Sequence, residues 1–393
     1  MIPLTIIVSA YNRADTLSVL FKSFEKLQCK QEVNLVISID NKGTEELNAL
    51  ALNYQWHLGK KEVVIHKEQL GLINHFIWVG DQTEKYEHVL FLEDDMYVSP
   101  QMLNYALQVI PIFENDNRIA GCSLYNPPFT LSGMVFDKIV DSYDNFFFQH
   151  PYWGNIWYKE KWAEFKKYLK TYKLNDTILP ITVQTWRKSS FKKIFIQYLI
   201  ETNRTIVYPR ISMITNMGAP GLHCISDIDF VQVPIETVCS DKQYVFSSYD
   251  NSLAKYDSFE EIYKDTLIRY NSKLGDYNFV IDTKLNRNNY PTDYVLTTRD
   301  VKNMIMTYSS GMKPVENNVL FQNEGRGLSL SKTDDLVITR EDETKLLFSN
   351  LSAHCPMSKK RIMKYEQKVL IKDFVSRIVR KLHRILGIGI ERK

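Results

Sequence analysis

The most constraining feature of this chain is an apolar run of strand length, residues 89–92, that stops at three consecutive carboxylates, Glu93, Asp94 and Asp95. Such a run is typical of a central strand in a parallel sheet, where ligands bind at the carboxyl ends of the strands. Adjacent carboxylates repel one another and lose hydration on burial, so a hard divalent cation between them and a phosphate would stabilise them. The alternative is a solvated turn whose acids cap a helix over residues 100–110.

The first 125 residues alternate between strand-like and helix-like segments. Strands are predicted over residues 5–9, 34–39, 63–66 and 89–92, and helices over residues 16–27, 44–53 and 70–81. Strands separated by helices predict crossover connections and therefore an α/β fold with a mostly parallel sheet flanked by helices. The apolar start of the chain is too short to span a bilayer and has no basic segment before it, so we interpret it as the first strand and not as a signal peptide.

The later parts of the chain differ in composition. Residues 126–250 are rich in aromatic side chains, above all residues 146–154, which suit a pocket wall but equally a core, and a helix is predicted over residues 159–170. Residues 251–355 are polar, with short strands predicted over 277–281, 294–297, 328–330, 336–339 and 346–349. No activity is evident from this second stretch.

Cysteine content and hydropathy limit the cellular compartment and the kind of membrane contact that we expect. The five cysteines are odd in number, scattered and without a CxxC pair, which favours neither a disulfide framework nor a zinc site and indicates a reducing cytoplasm. No segment approaches the roughly 20 apolar residues of a transmembrane helix. Any membrane contact is therefore expected to be peripheral.

The positive charge is concentrated at the carboxyl end. Residues 356–393 hold twelve basic and three acidic residues, a net charge of +9, which leaves −6 for residues 1–355. Apolar residues spaced by three and four predict a cationic amphipathic helix over residues 359–386. It would lie on the anionic inner leaflet of a membrane, although docking on the protein's own core is the alternative. Nucleic acid is not expected as a partner, because the cations form one helical face without interleaved aromatics.

Several motifs in a fixed order carry a resemblance. They are residues 6–13 at the end of the first strand, 37–40 at the end of the second, 68–72 before a helix, the three acids, and then 207–212 and 216–223. In this order the chain resembles the GT-A glycosyltransferases, specifically bacterial family-2-like sugar transferases and more distantly N-acetylglucosaminyltransferase I. The likeness covers about residues 1–250, so it implies a catalytic domain there, with a nucleotide-binding half over 1–125 and an acceptor half over 126–250. Residues 251–355 would be an accessory region and residues 356–393 the basic helix.

The resemblance implies a nucleotide-sugar site. Its residues would be Ala10, Tyr11, Asn12, Arg13, Asp40, Gly71, Glu93 and Asp94. Asp40 would accept the imide N–H of uracil, a role compatible with its other interpretation as a turn residue in the segment 40–43.

The acids match the family's DXD-type metal motif. Asp95 would bind Mn²⁺ or Mg²⁺ directly, while Asp94 would contact the ribose or the donor sugar. His223 matches a position that often completes the metal site, and its imidazole would favour manganese, but a structural role for this histidine is the alternative.

The catalytic base departs from the family pattern. Inverting transfer needs a carboxylate near the acceptor hydroxyl, and the relatives have an aspartate beside a tryptophan in the segment that corresponds to residues 183–188. No acid is present there, so either the base is elsewhere, with Asp176, Asp227 and Asp229 as candidates, or the alignment has slipped, or the protein is not a conventional inverting enzyme.

These features together predict a metal-dependent, inverting glycosyltransferase that is cytoplasmic and peripheral on the inner membrane. It would move a hexosyl or N-acetylhexosaminyl group from a UDP-sugar to a glycan or lipid-linked glycan in surface polysaccharide biosynthesis. The alternative is a non-catalytic sugar-nucleotide-binding or scaffold protein that kept the fold and lost the base. A nucleotidyltransferase or phosphatase is disfavoured, because the chain has neither a GxxxxGK[ST] loop nor a DxDxT motif.

Overall fold

The computed structural model describes residues 1–219 and 230–338, together with the single positions Lys364 and Gln367. Residues Met1–Val337 form one compact unit. Several predicted features lie outside the described residues: His223, Asp227, Asp229, the strand over 346–349 and, apart from those two positions, the basic helix over 359–386.

The described residues form fifteen strands and ten α-helices. The strands are β1 (Thr5–Ala10), β2 (Asn34–Ile39), β3 (Lys61–Ile65), β4 (His88–Glu93), β5 (Met96–Val98), β6 (Ile119–Ser123), β7 (Asn145–Phe148), β8 (Asn155–Tyr158), β9 (Thr205–Pro209), β10 (Ile214–Asn216), β11 (Lys255–Tyr256), β12 (Phe279–Asp282), β13 (Tyr294–Thr297), β14 (Met306–Tyr308) and β15 (Leu328–Lys332). The helices are α1 (Ala14–Phe24), α2 (Glu45–Asn53), α3 (Gly71–Asp81), α4 (Thr83–Tyr86), α5 (Met102–Phe113), α6 (Lys159–Leu169), α7 (Ile181–Gln184), α8 (Phe191–Glu201), α9 (Lys264–Tyr270) and α10 (Asn317–Leu320). Within residues 1–219 and 230–338, no helix combines the length and the apolar character needed to cross a membrane.

A nine-stranded, mostly parallel sheet organises the fold, in the order β11-β7-β9-β6-β8-β4-β1-β2-β3. Strands β4, β1, β2 and β3 run parallel, whereas β8 is antiparallel to both of its neighbours, β4 and β6. The predicted α/β class with a mostly parallel sheet flanked by helices is therefore confirmed. The predicted strand over residues 34–39 is confirmed at both ends, since β2 has these bounds.

Side chains that alternate along the central strands fill two cores, one on each face of the sheet. Ile6 and Val8 of β1 point into the core shared with α1, α2 and α5, whereas Ile7 points into the core shared with α3, α6 and α8. Because both faces are covered, the central strands are apolar at nearly every position. This explains why the sequence shows continuous apolar runs there and not the alternation of a half-exposed strand.

The second of these cores continues into residues 251–338. β11 pairs with β7 at the edge of the large sheet, and a separate four-stranded sheet follows in the order β12-β13-β15-β14. The predicted strand over 294–297 is confirmed as β13, but residues 336–338 form no strand, and Leu336 makes a single bridge to Val301. The predicted boundary at residue 250, between the catalytic domain and the accessory region, stays a functional prediction. The second hydrophobic core contains residues from both sides of it.

Candidate active site

A cavity of about 520 Å³ opens at the carboxyl ends of β1, β2 and β4. All of the residues predicted to bind nucleotide-sugar line it, namely Ala10, Tyr11, Asn12, Arg13, Asp40, Gly71, Glu93 and Asp94, and so does the predicted metal ligand Asp95. Parallel strands bring their carboxyl ends to one edge of the sheet, which is why segments distant in sequence meet here. The cavity has a volume typical of small-ligand sites in proteins.

The three acids form the turn between β4 and β5, which we call the acid turn. Glu93 is the last residue of β4, Asp94 and Asp95 make the turn, and the short strand β5 then pairs with β10. The backbone carbonyl of Asp95 accepts a hydrogen bond of 2.9 Å from the amide of Met217, which fixes the turn against the chain after β10. The alternative of a helix cap is wrong, because α5 begins only at Met102 and has no acid in its first turn.

Burial is costly for the acid turn. The exposed fractions of Asp94 and Asp95 are only 3% and 8%. Burial raises the pKa of Glu93 to about 7, with the charge of Asp95 as the next cause. Burial also raises the pKa of Asp94 to about 6, although Arg13 opposes this shift. The acid turn therefore lies where a cation would lower the free energy of the ionised carboxylates.

Arg13 supplies such a cation from the chain itself. It stands immediately before α1, and its Nη1 donates to Asp95 Oδ2 at 2.9 Å while its Nη2 donates to Asp94 Oδ1. Burial opposes the charge of Arg13, but the two carboxylates outweigh it and raise the pKa of the guanidinium. The sequence motif identified Arg13, yet only the fold shows that it bridges two acids more than 80 residues away.

Asp40 closes the opposite end of the cavity. Its Oδ1 accepts from the amide of Leu70 at 2.7 Å and its Oδ2 from the amide of Gly71 at 3.0 Å, so it caps the start of α3. Its backbone carbonyl also accepts from Gly43 at 3.1 Å, as the turn interpretation requires. A carboxylate has about four acceptor positions, and two of them remain for a ligand. Gly71 fits here because its φ of +70° is unfavourable for other residues.

His75 was missed by the sequence analysis although it lines the cavity. Its Nε2 lies 2.7 Å from Ser38 Oγ, and Nε2 of His66 lies 3.0 Å from the same oxygen. Burial lowers the pKa of His75 to about 4, so the ring is neutral at pH 7. The available signal was its position four residues after Gly71, because residues four apart share one face of a helix.

The other wall of the cavity contains Trp153, Arg187 and Asn216. The sequence analysis placed them in the aromatic stretch 146–154, the segment 183–188 and the motif 216–223, but named none of them as a site residue. Behind it, Lys192 Nζ lies 4.4 Å from the centre of the Trp153 ring, and its charge acts on Glu93 and Asp95. Burial lowers the pKa of Lys192. Arg187 belongs to the segment 183–188. The resemblance predicts a catalytic carboxylate in this segment, whereas the residue of the segment that lines the cavity is a cation.

Asp176 is not brought to the cavity. It begins a short 3₁₀ helix, and its carboxylate pairs with Lys193 Nζ at 2.7 Å. The same ammonium donates to the carbonyls of Gln184 and Trp186, so Asp176 and Lys193 fix the turn that precedes Arg187. Asp176 therefore has a structural partner and lies apart from the residues that line the cavity.

Comparison with known proteins gives distant relatives. No protein-family model matches the chain. An alpha-1,3-mannosyl-glycoprotein 2-beta-N-acetylglucosaminyltransferase of Arabidopsis thaliana is 24% identical over 221 residues, which are 49% of this chain and 50% of that protein. The chain thus spans about half the length of the curated relative. At this distance the predicted resemblance to glycosyltransferases, and to an N-acetylglucosaminyltransferase among them, is confirmed.

Solved structures with partial similarity include S. aureus TarS 1–349 in complex with UDP-GlcNAc, with a TM-score of 0.36 and 18% identity over 56% of this chain and 60% of that one. The mannosyltransferase PcManGT from Pyrobaculum calidifontis, in complex with GDP-Man and Mn²⁺, gives a TM-score of 0.31 and 13% identity over 44% of this chain and 47% of that one.

Proposed function

We propose that this protein is a metal-dependent, inverting glycosyltransferase that moves a hexosyl or N-acetylhexosaminyl group from a UDP-sugar to a glycan or lipid-linked glycan. The observation that carries this proposal is the cavity itself. Residues from the ends of β1, β2 and β4 and the start of α3, chosen from the sequence for nucleotide-sugar binding, line one cavity with the acid turn. The distant similarity to an N-acetylglucosaminyltransferase supports the same reaction class.

The residues present fit a divalent cation. Asp94 and Asp95 offer the hard oxygen ligands that Mg²⁺ and Mn²⁺ prefer, and the guanidinium of Arg13 already holds positive charge between them. Within residues 1–219 and 230–338, no three His, Cys, Asp or Glu residues form a group that would hold a metal by themselves. Mg²⁺ is commonly held by one or two carboxylates together with substrate phosphates, so the donor diphosphate would complete the ligand set. His223 remains a proposed additional ligand.

The chain's own residues would share the work of binding. The bound metal would act as a Lewis acid that stabilises the departing nucleotide. Arg13 would exchange its two carboxylates for the diphosphate, since a divalent cation and a guanidinium compete for the same oxygens. Asp40 would hold the base end, and Trp153 would form the wall toward the acceptor, where an aromatic ring suits the apolar face of a sugar.

One observation favours the second candidate, a sugar-nucleotide-binding protein without transferase activity. Among the described residues that line the cavity, the carboxylates are Asp40 and the acid turn, and no acid lies on the side of Trp153 and Arg187. Asp227 and Asp229 stay candidate bases, and they distinguish the two functions. If neither serves, the protein would bind a donor and not transfer its sugar.

The first experiment is a thermal-shift screen of the full chain with UDP-, GDP-, dTDP- and CMP-sugars, each with and without Mn²⁺. A ligand at 100 times its Kd stabilises the native state by about 2.7 kcal/mol, so a specific donor gives a clear rise in Tm. We expect a manganese-dependent rise with one UDP-sugar. The same rise without any release of UDP in the presence of glycan acceptors would favour the binding protein, and no rise with any donor would contradict both functions.

The acceptor would be presented at the inner membrane, and residues 359–386 would hold the protein there. The support for this step is the sequence, in which each basic residue near an anionic surface contributes about 1 kcal/mol. Sedimentation with anionic liposomes checks it. The full chain should sediment with the vesicles and a chain ending at residue 358 should not, whereas equal sedimentation of both would remove the membrane step and leave the donor site unaffected.

A further inference from the structure

A second cavity of about 420 Å³ lies on the same edge of the sheet as the candidate active site. We call it the basic pocket, and its polar lining consists of Asn126, Asp137, Lys138, Ser142, Tyr143 and Arg210. It belongs to no part of the donor site, since the two cavities share no lining residue.

The topology sets the distance between the two cavities. β6 is antiparallel to β8, which is antiparallel to β4, so β4 and β6 run in one direction, and β9 is parallel to β6. The carboxyl ends of β4, β6 and β9 therefore meet one edge. Neighbouring strands are about 4.8 Å apart, so the end of β9, next to Arg210, lies about 14 Å across the sheet from the end of β4 at the acid turn.

Trp153 and Tyr125 connect the two cavities physically. Trp153 lines the donor cavity just before β8, which lies between β4 and β6. Its ring packs edge-on against Tyr125 with 4.9 Å between the ring centres, and the next residue, Asn126, lines the basic pocket. Tyr125 itself is buried, so a molecule that extends from the donor cavity along this edge of the sheet would pass Trp153 on its way to the basic pocket.

Lys138 is the first cation of the basic pocket. Its Nζ donates to the backbone carbonyls of Pro127 at 2.6 Å and Phe136 at 3.0 Å, and it lies 4.1 Å from the centre of the Phe136 ring. Burial, followed by repulsion from Arg210, lowers the pKa of Lys138 to about 7. The hydrogen bonds of this ammonium go to neutral carbonyls, so its charge is stabilised less than it would be beside an anion.

Arg210 is the second cation. Its Nη2 donates to Asp141 and its Nη1 to the carbonyl of Ile139, both at 2.6 Å, whereas its Nε is buried without an acceptor. A buried donor without an acceptor is destabilising, more so when the group is charged. Arg210 is thus paired with Asp141, which does not line the pocket, and the charged residues of the lining are Lys138, Arg210 and one acid, Asp137.

We propose that the basic pocket binds an anionic group of the acceptor, a carboxylate or a phosphate, about three strand spacings from the acid turn. Lys138 would pair with the anion, and the Arg210 guanidinium and the Tyr143 hydroxyl, which line the same pocket, would lie beside it. This inference rests on the proposed function in one respect, namely that the bound anion belongs to an acceptor. The anion site itself does not depend on that function. It predicts that the substrate is an acidic glycan or a phosphate-containing one, and not a neutral glycan.

Calorimetric titration of the full chain with inorganic phosphate and, separately, with glucuronate at low salt tests the site without any donor. We expect one equivalent of at least one probe to bind, at least tenfold more weakly in Lys138→Met and unchanged in Lys22→Met, which removes an exposed lysine elsewhere. Lys138→Arg should retain binding, which keeps the test valid if the methionine variant folds poorly.

The outcomes separate this site from the donor cavity. Binding that is lost in Arg13→Met but kept in Lys138→Met would belong to the acid turn and would overturn the proposal. No saturable binding of either probe to the natural chain would also overturn it. Manganese-dependent UDP binding should be the same in Lys138→Met and the natural chain. A natural chain that binds no UDP would contradict the donor function and leave the result for the anion site unaffected.

Discussion

Within residues 1–219 and 230–338, three carboxylates come together in the acid turn and again in a closed cluster in residues 251–338. The closed cluster consists of Glu260, Glu261 and Glu316, each at most 1% exposed, with Lys284 as its cation. Glu261 accepts from the amides of Thr283 and Lys284 at 2.5 and 2.6 Å, and Glu316 accepts from Lys284 Nζ at 2.6 Å. Burial raises the pKa of both Glu260 and Glu261 to about 8.

The two sites solve the same electrostatic problem differently. The closed cluster uses backbone donors, one lysine and bound protons, and Oε2 of Glu316 stays buried without a donor. The acid turn opens on a cavity, and its counter-charge is the side chain of Arg13, which lines the same cavity. This difference teaches that a group of buried acids indicates a ligand site only where the positive charge that balances the acids can move away from them.

The largest effect is expected from the closed cluster. Lys284→Met leaves the charge of Glu316 without its partner, and breaking a buried pair from one side costs about 3–5 kcal/mol of unfolding free energy. Urea unfolding measures this loss. The control is Lys85→Met, which breaks an exposed pair with Glu62 and should cost at most about 1 kcal/mol. Equal losses in the two variants would contradict the closed character of the cluster.

At the acid turn, Asp95→Asn should weaken manganese-dependent UDP binding at least 100-fold, because an amide is a poorer ligand for a hard cation than a carboxylate. Calorimetry with Mn²⁺ and UDP measures it. Asp250→Asn removes an exposed carboxylate elsewhere and should leave the affinity unchanged. Wild-type affinity in Asp95→Asn would remove Asp95 from the metal site.

The pH dependence of stability sharpens the comparison. Glu261 keeps its proton in the folded protein up to about pH 8, whereas an ordinary glutamate loses it near pH 4.5. The folded state therefore binds more protons across this window, and stability falls as the pH rises through it. Between pH 6 and pH 9 we expect a loss on the order of 2 kcal/mol from this residue. Chemical unfolding at both values should show a smaller loss in Glu261→Gln and the full loss in Glu62→Gln, whose carboxylate is half exposed.

The smallest effect is expected from Arg13, and it tests whether the guanidinium can move away from the carboxylates of the acid turn. Arg13→Met removes the competitor of the metal, so Mn²⁺ alone should bind about tenfold more tightly, a gain of about 1.4 kcal/mol. UDP with Mn²⁺ should bind more weakly, since the diphosphate loses a cation. The control is Arg118→Met, because Arg118 also bridges two aspartates, Asp116 and Asp250, but outside the cavity. A decrease of both affinities in Arg13→Met would indicate a merely structural arginine.

The parts of the fold that the sequence predicted share one physical property. β2 and β13 were found with their bounds because a buried strand needs an unbroken apolar run, and such a run is visible in the sequence. The acid turn was found because it ends a run of this kind. The cavity then followed from topology, since the carboxyl ends of parallel strands converge.

The parts that could not be predicted depend on contacts between distant residues. Nothing near Arg13 in the sequence shows that it pairs with Asp94 and Asp95, and nothing near Glu261 shows that Thr283 and Lys284 donate to it. β5 and β10 are three residues each, too short for a period to be recognised, and they are held by pairing with one another. Lys192 was missed because an isolated lysine has no pattern of its own.

The bonds from Asp40 to the amides of Leu70 and Gly71 have a kinetic consequence. They order this end of the cavity before any ligand arrives, so, on the proposed function, a nucleotide that docks there first would lose little time to rearrangement. The slow step of association would then fall at the acid turn, where the guanidinium of Arg13 separates from two carboxylates. We expect the entry rate of the donor to be limited by this departure.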